Sequence, residues 1–66
     1  MNQKIYKSIP AHIRKRAIDK MQKKPQTIYN AIFYQLGNLP NNFNETIKNE
    51  INNEINNLKQ LQSKIS

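Results

Sequence analysis

The sequence predicts an all-α protein, in which two short helices joined by a tight turn precede one long amphipathic helix. Two observations carry this prediction. Apolar residues recur every three or four positions in three separate segments, which is the spacing of helices that bury one face. The three prolines and the only glycine fall at the predicted ends of those segments.

The chain's 66 residues predict one domain with a small core, because a domain of this size buries only about 60% of the surface that its unfolded chain exposes. There is no cysteine, which excludes disulfides and thiolate zinc sites. One histidine and four acidic residues predict neither a metal site nor a cofactor, and no small-molecule ligand is expected. Oligomerisation is the remaining source of added stability.

Positive charge is concentrated in the N-terminal half. Residues 1–30 contain eight Lys or Arg and one Asp, and they carry the whole net charge of +7. In residues 31–66, three Lys and three Glu cancel. Such an asymmetry is typical of a polyanion-binding surface, and a merely solvated basic face is the simpler alternative.

Residues 1–9 are predicted to be a basic N-terminal arm, either flexible or a short strand, with Ile5 packed on the core and the rest frayed. Residues 10–37 follow as two helices. The first is predicted from about Pro10 to Met21, with its apolar stripe at Ile9, Ile13, Ala17 and Met21.

Pro25 disfavours helix at the preceding residue and pre-sets the first residue of the second helix. This helix is predicted from Pro25 to about Leu36, with Gly37 as its C-terminal cap. At 100° per residue its apolar face consists of Ile28, Ala31, Ile32 and Leu36. The side facing away from that stripe carries Gln26, Asn30 and Phe33, flanked by two tyrosines.

Residues 38–66 are predicted to be a C-terminal amphipathic dimerisation helix, running from about Phe43 to Lys64. Its apolar stripe repeats at about 3.7 residues, which exceeds the 3.5-residue repeat of a left-handed coiled coil and favours nearly straight helices packed side by side. The stripe consists of Phe43, Ile47, Ile51, Ile55, Leu58, Leu61 and Ile65.

The third predicted helix is longer than the two helices that precede it. About 20 residues span about 30 Å, whereas the two preceding helices span about 18 Å each. The distal part of the stripe therefore needs another partner, or else frays. A second copy of the chain is expected there, because two-fold dimers are the commonest oligomers. The expected dimer contacts are Ile51, Ile55, Leu58, Leu61 and Ile65.

The segment KKPQTIYNAI, residues 23–32, resembles the recognition-helix region of prokaryotic and phage helix-turn-helix DNA-binding regulators of the lac-repressor and Cro-like types. The matching pattern is Gln26, Thr27, Ile28 and Ile32. The resemblance covers about residues 13–33. The family's turn usually begins with glycine and continues with an apolar residue, where this chain has Gln22 and Lys23.

This resemblance implies that the second helix lies in the major groove of DNA. It places the base-reading positions on Gln26, Tyr29, Asn30 and Phe33. Glutamine and asparagine can each make paired hydrogen bonds to adenine, and an aromatic ring can contact a thymine methyl group. Phosphate contacts are expected from Arg14, Arg16, Lys23, Lys24 and Thr27.

The leading hypothesis is a phage- or plasmid-type repressor that binds double-stranded DNA as a homodimer on a palindromic operator. The alternative is a small interaction module or inhibitor that docks its basic face on a host protein or nucleoprotein complex. RNA binding ranks lower. Catalysis is not expected, since the sole histidine, His12, is predicted to be an isolated surface residue. No membrane segment is expected, and the cytoplasm of a bacterial or phage-infected cell is the predicted location.

Overall fold

The computed structural model describes residues 1–65, and every regular element in that part of the chain is an α-helix. The helices are α1 (Gln3–Ser8), α2 (Ala11–Lys20), α3 (Pro25–Phe33) and α4 (Phe43–Ile65). The all-α prediction is confirmed. The predicted number of three helices is wrong for the described residues, because α1 forms where an arm was expected.

Helix α1 corrects the prediction for residues 1–9. Asn2 is extended, and its Oδ1 accepts a 2.8 Å hydrogen bond from the backbone N–H of Ile5, which satisfies one of the unpaired donors at the start of the helix. Tyr6 is only 5% exposed, whereas Ile5 is 53% exposed. Tyr6 therefore anchors this segment to the core in place of Ile5.

Helix α2 agrees with the first predicted helix to within one residue at each end. It buries Ile13 and Ala17 as predicted, while Met21 is only partly buried. It also buries Ile18, which the predicted stripe omitted. A stripe drawn at steps of four follows one edge of the buried face, and Ile18 lies on the other edge.

Helix α3 begins at Pro25 as predicted and buries Ile28 and Ile32. Its predicted end near Leu36 is wrong, since the helix ends at Phe33. Gln35 takes a positive φ of 54°, which turns the chain out of the helix. Leu36 is consequently exposed and belongs to the loop that leads to α4.

Helix α4 begins at Phe43 as predicted. Its first turns bury Phe43 and Ile47, and α2 is its principal neighbour. The core thus sits against the N-terminal part of α4, and the described chain extends 48 Å along its longest axis but only 23 and 16 Å across the others. The buried core consists of Tyr6, Ile9, Ile13, Ala17, Ile18, Ile28, Ile32, Phe43 and Ile47.

Candidate nucleic-acid interface

The turn between α2 and α3 has a defined hydrogen-bonded geometry. Gln22 has a φ of 56°, its backbone N–H donates to the Asp19 carbonyl at 3.1 Å, and the N–H of Lys23 donates to the Ile18 carbonyl at 3.4 Å. This is the Schellman arrangement, in which a left-handed residue ends a helix and is most often glycine. Gln22 therefore occupies a backbone conformation that glycine adopts more readily than any residue with a side chain.

Two lysines follow this turn. Lys23 and Lys24 are both exposed, and Lys24 is the extended N-cap residue of α3. No side chain caps the N-terminus of α3, whose first residue, Pro25, has no N–H, and the N–H of Thr27 donates to the Lys24 carbonyl at 3.0 Å. Thr27, also exposed, lies within the same first turn. This end of α3 presents cations, a hydroxyl and the positive end of the helix dipole together.

The exposed face of α3 carries a paired set of amides. Nε2 of Gln26 donates a 2.8 Å hydrogen bond to Oδ1 of Asn30, one turn later on the same face. The bond uses one N–H of Gln26 and leaves its Oε1, its second N–H and the amide nitrogen of Asn30 available. The structure thus brings together two of the four predicted base-reading residues.

The other two predicted base-reading residues form an aromatic stack. The rings of Tyr29 and Phe33 are stacked with centroids 4.3 Å apart, and Tyr34 meets Tyr29 edge-on at 5.8 Å. Tyr29 keeps an exposed flank, whereas Phe33 is half-buried and meets Tyr6 of α1 edge-on at 5.9 Å. The stacking of Phe33 on Tyr29 favours a role in holding the Tyr29 ring over a direct contact with a base. The base contact by Phe33 stays a prediction.

Two cations lie on this aromatic cluster. The Lys7 ammonium is 5.5 Å from the centroid of Phe33, and the Arg14 guanidinium is 5.0 Å from that of Tyr6. Both distances are within the range of cation–π attraction. Lys7 was not among the predicted phosphate contacts, because α1 was not expected. Tyr6 was missed for the same reason, since its ring contacts with Phe33 and Phe43 join helices that are distant in the sequence.

A second side of α2 faces the acidic residues of α4. His12 contacts the Glu54 carboxylate, Arg16 approaches it at 3.9 Å, and Lys20 pairs with Glu50. His12 is exposed, as predicted, but the prediction that it is isolated is wrong. Arg16 is engaged on this α4-facing side, so the structure does not bring it together with the other predicted phosphate contacts.

The predicted dimer contacts occupy a separate surface on α4. Their exposure ranges from 36% at Ile51 to 78% at Ile65, so the stripe leaves the core after Ile47. An apolar helix face of this length is unusual on an isolated domain. Nothing in residues 1–65 covers it.

Within residues 1–65, no group of three or more His, Cys, Asp or Glu side chains is arranged to hold a metal ion. None of the helices in that range combines the length and apolar character needed to cross a membrane. No family model, curated protein or solved structure matches the chain.

Proposed function

We propose that the protein is a small sequence-specific DNA-binding regulator that acts as a homodimer, with α2 and α3 as its helix-turn-helix. The observation that carries the proposal is the hydrogen-bonded pair of Gln26 and Asn30 on the exposed face of α3, directly after the basic turn at Lys23 and Lys24. Amides can read base edges and cations can bind phosphates, and these are the specifying and positioning contacts of a sequence-specific DNA-binding protein.

In the proposed complex, α3 enters the major groove. Gln26 and Asn30 hydrogen-bond to adenine edges, and the exposed flank of Tyr29 contacts a thymine methyl group. Lys23, Lys24 and the positive end of the α3 dipole bind the adjacent phosphates. The expected half-site therefore contains A·T base pairs.

Dimerisation doubles this interface. Two recognition helices about 34 Å apart reach successive major grooves on one face of the duplex, and a two-fold dimer reads a palindromic operator. Repression by occlusion of a promoter, in the cytoplasm of a bacterial or phage-infected cell, is the mechanism we propose.

Footprinting on the DNA upstream of the protein's own coding region tests this function. The proposal predicts a protected palindromic segment whose binding constant falls steeply with salt, by about 0.9 in log K per unit of log salt for each phosphate neutralised. Uniform coating of every duplex, with no protected segment, would contradict sequence-specific regulation.

The uncovered stripe of α4 favours a second candidate, a protein-interaction module with a heterologous partner. Amphipathic helices commonly supply such docking faces. A capture experiment on host lysate with and without nuclease separates the two candidates. A stoichiometric protein partner that survives nuclease, with no footprint on DNA, would support the interaction module.

A further inference from the structure

The cations of α2 lie on two different sides of that helix. Arg14 is about 200° around the helix from the residues two positions before and after it, at about 100° per residue. Those neighbours belong to the side whose basic residues, four positions apart, engage the carboxylates of α4: His12, Arg16 and Lys20. The acidic residues of α4 therefore neutralise only the α4-facing side of α2.

Two cations on the other side of the domain meet aromatic rings instead of carboxylates. The Lys7 ammonium lies 5.5 Å from the centroid of Phe33, the Arg14 guanidinium lies 5.0 Å from that of Tyr6, and the two rings meet edge-on at 5.9 Å. Neither cation forms an ion pair within residues 1–65, and the Nε–H of Arg14 has no hydrogen-bond acceptor in that range. A cation held on a ring keeps its charge, so this edge of the domain attracts anions.

Cations lie at both ends of α3. Lys7 contacts Phe33, the last residue of the helix, whereas Lys23 and Lys24 directly precede its first residue, Pro25. The 9 residues of α3 span about 13 Å at about 1.5 Å each. The major groove of B-DNA is about 12 Å wide. The two cationic ends of α3 are therefore spaced to reach the phosphates on both sides of the groove.

We infer that Lys7 and Arg14 bind adjacent phosphates of the duplex backbone at the C-terminal end of α3, across the groove from the phosphates that Lys23 and Lys24 bind. This rests on the DNA binding of the proposed function and adds a second backbone contact, in which α1 takes part. Ammonium and guanidinium groups without a carboxylate partner form strong charge-assisted hydrogen bonds to phosphate oxygens. The rings that already hold both cations reduce the side-chain entropy lost on binding.

Fluorescence anisotropy with a short duplex of mixed sequence, over a series of salt concentrations, tests this site. Phosphate contacts carry no sequence information, so the experiment does not require the operator. The variants Lys7→Ala and Arg14→Gln each remove one cation, and Lys7→Arg keeps the charge. The matched control is Lys48→Ala, which removes an exposed lysine from the groove that Ile5 lines on the other side of α1. Circular dichroism confirms that each variant folds.

The expected result is that Lys7→Ala and Arg14→Gln each lower the slope of log K against log salt by about 0.9, while Lys7→Arg and Lys48→Ala leave it nearly unchanged. An unchanged slope from either folded charge-removing variant, in a wild-type protein that binds the duplex, would overturn this inference alone. An equal loss of slope from Lys48→Ala would also overturn it, because the effect would then not depend on where the charge lies. A wild-type protein that binds no duplex even at low salt would overturn this inference and the DNA-binding function together. Binding without any sequence preference would refute only sequence-specific regulation.

Discussion

Gln26 and Asn30 are joined by a 2.8 Å hydrogen bond from Nε2 to Oδ1 on the exposed face of α3. Each amide limits the rotation of the other, so less side-chain entropy is lost when either binds a ligand. Gln26 lies in the first turn of the helix, next to its cationic start, and Asn30 lies one turn further on. A surface with fixed amides beside cations is suited to an anionic partner that presents a defined arrangement of hydrogen-bond donors and acceptors.

Replacing Gln26 or Asn30 by Ala should reduce discrimination between the operator and a scrambled duplex. The expected loss is about 1–3 kcal/mol for each adenine contact removed, because a side chain without an amide cannot form the paired hydrogen bonds. Fluorescence anisotropy with both duplexes measures the difference. The matched control is Asn53→Ala, an exposed amide on α4. Equal losses on both duplexes would indicate that these amides do not read bases.

Lys23→Ala should weaken binding to every duplex by a similar factor and lower the slope of log K against log salt by about 0.9, because it removes one phosphate contact. Anisotropy over a salt series gives the slope. Lys48→Ala removes the same charge from α4 and should leave the slope nearly unchanged. A slope unaffected by Lys23→Ala would place Lys23 outside the interface.

Gln22→Gly should stabilise the domain by about 0.5–1 kcal/mol. Gln22 has a φ of 56°, a conformation that costs a residue with a side chain more than it costs glycine. Urea denaturation measures the free energy of unfolding. Gln60→Gly, in the C-terminal half of α4, is the control and should destabilise by about 1 kcal/mol. Destabilisation by both variants would contradict the left-handed turn between α2 and α3.

Lys20→Ala should destabilise the domain by about 1–3 kcal/mol, because it leaves the Glu50 carboxylate, only 3% exposed, without its cation. The lysine is itself mostly exposed, so the cost comes from Glu50 and not from a strong surface attraction. The same urea measurement applies, with Lys48→Ala as the exposed control. Adding Glu50→Gln to Lys20→Ala should recover part of the loss. A neutral Lys20→Ala would show that Glu50 does not depend on this pair.

Periodicity was sufficient to predict α2, the start of α3 and nearly all of α4. Pro25 fixes the start of α3 through its own φ. Phe43 is the first residue of a regular apolar stripe, and this regularity predicts the start of α4. The end of α3 was not predictable in this way. Apolar spacing continues to Leu36, but the chain leaves the helix earlier through Gln35, a residue type that carries no turn signal.

The parts of the site that the sequence missed depend on tertiary contacts. The role of Tyr6 requires that α1 folds back on Phe33 and Phe43, which no local pattern in residues 1–9 encodes. The contact between His12 and Glu54 joins residues 42 positions apart. Charge counting placed Arg16 in the basic half of the chain, and His12 was expected to be isolated, but the sequence could not show that α4 supplies the Glu54 carboxylate that engages both.

The most direct test of the proposed function is selection of duplexes from a random-sequence DNA library by the wild-type protein, repeated with the Gln26→Ala/Asn30→Ala double variant. The wild-type protein should enrich a palindrome with A·T pairs in each half-site, and the double variant should still bind DNA but enrich no such sequence. Enrichment of the same palindrome by both proteins would contradict base reading by α3. Enrichment of no sequence by the wild-type protein would contradict sequence-specific DNA binding itself.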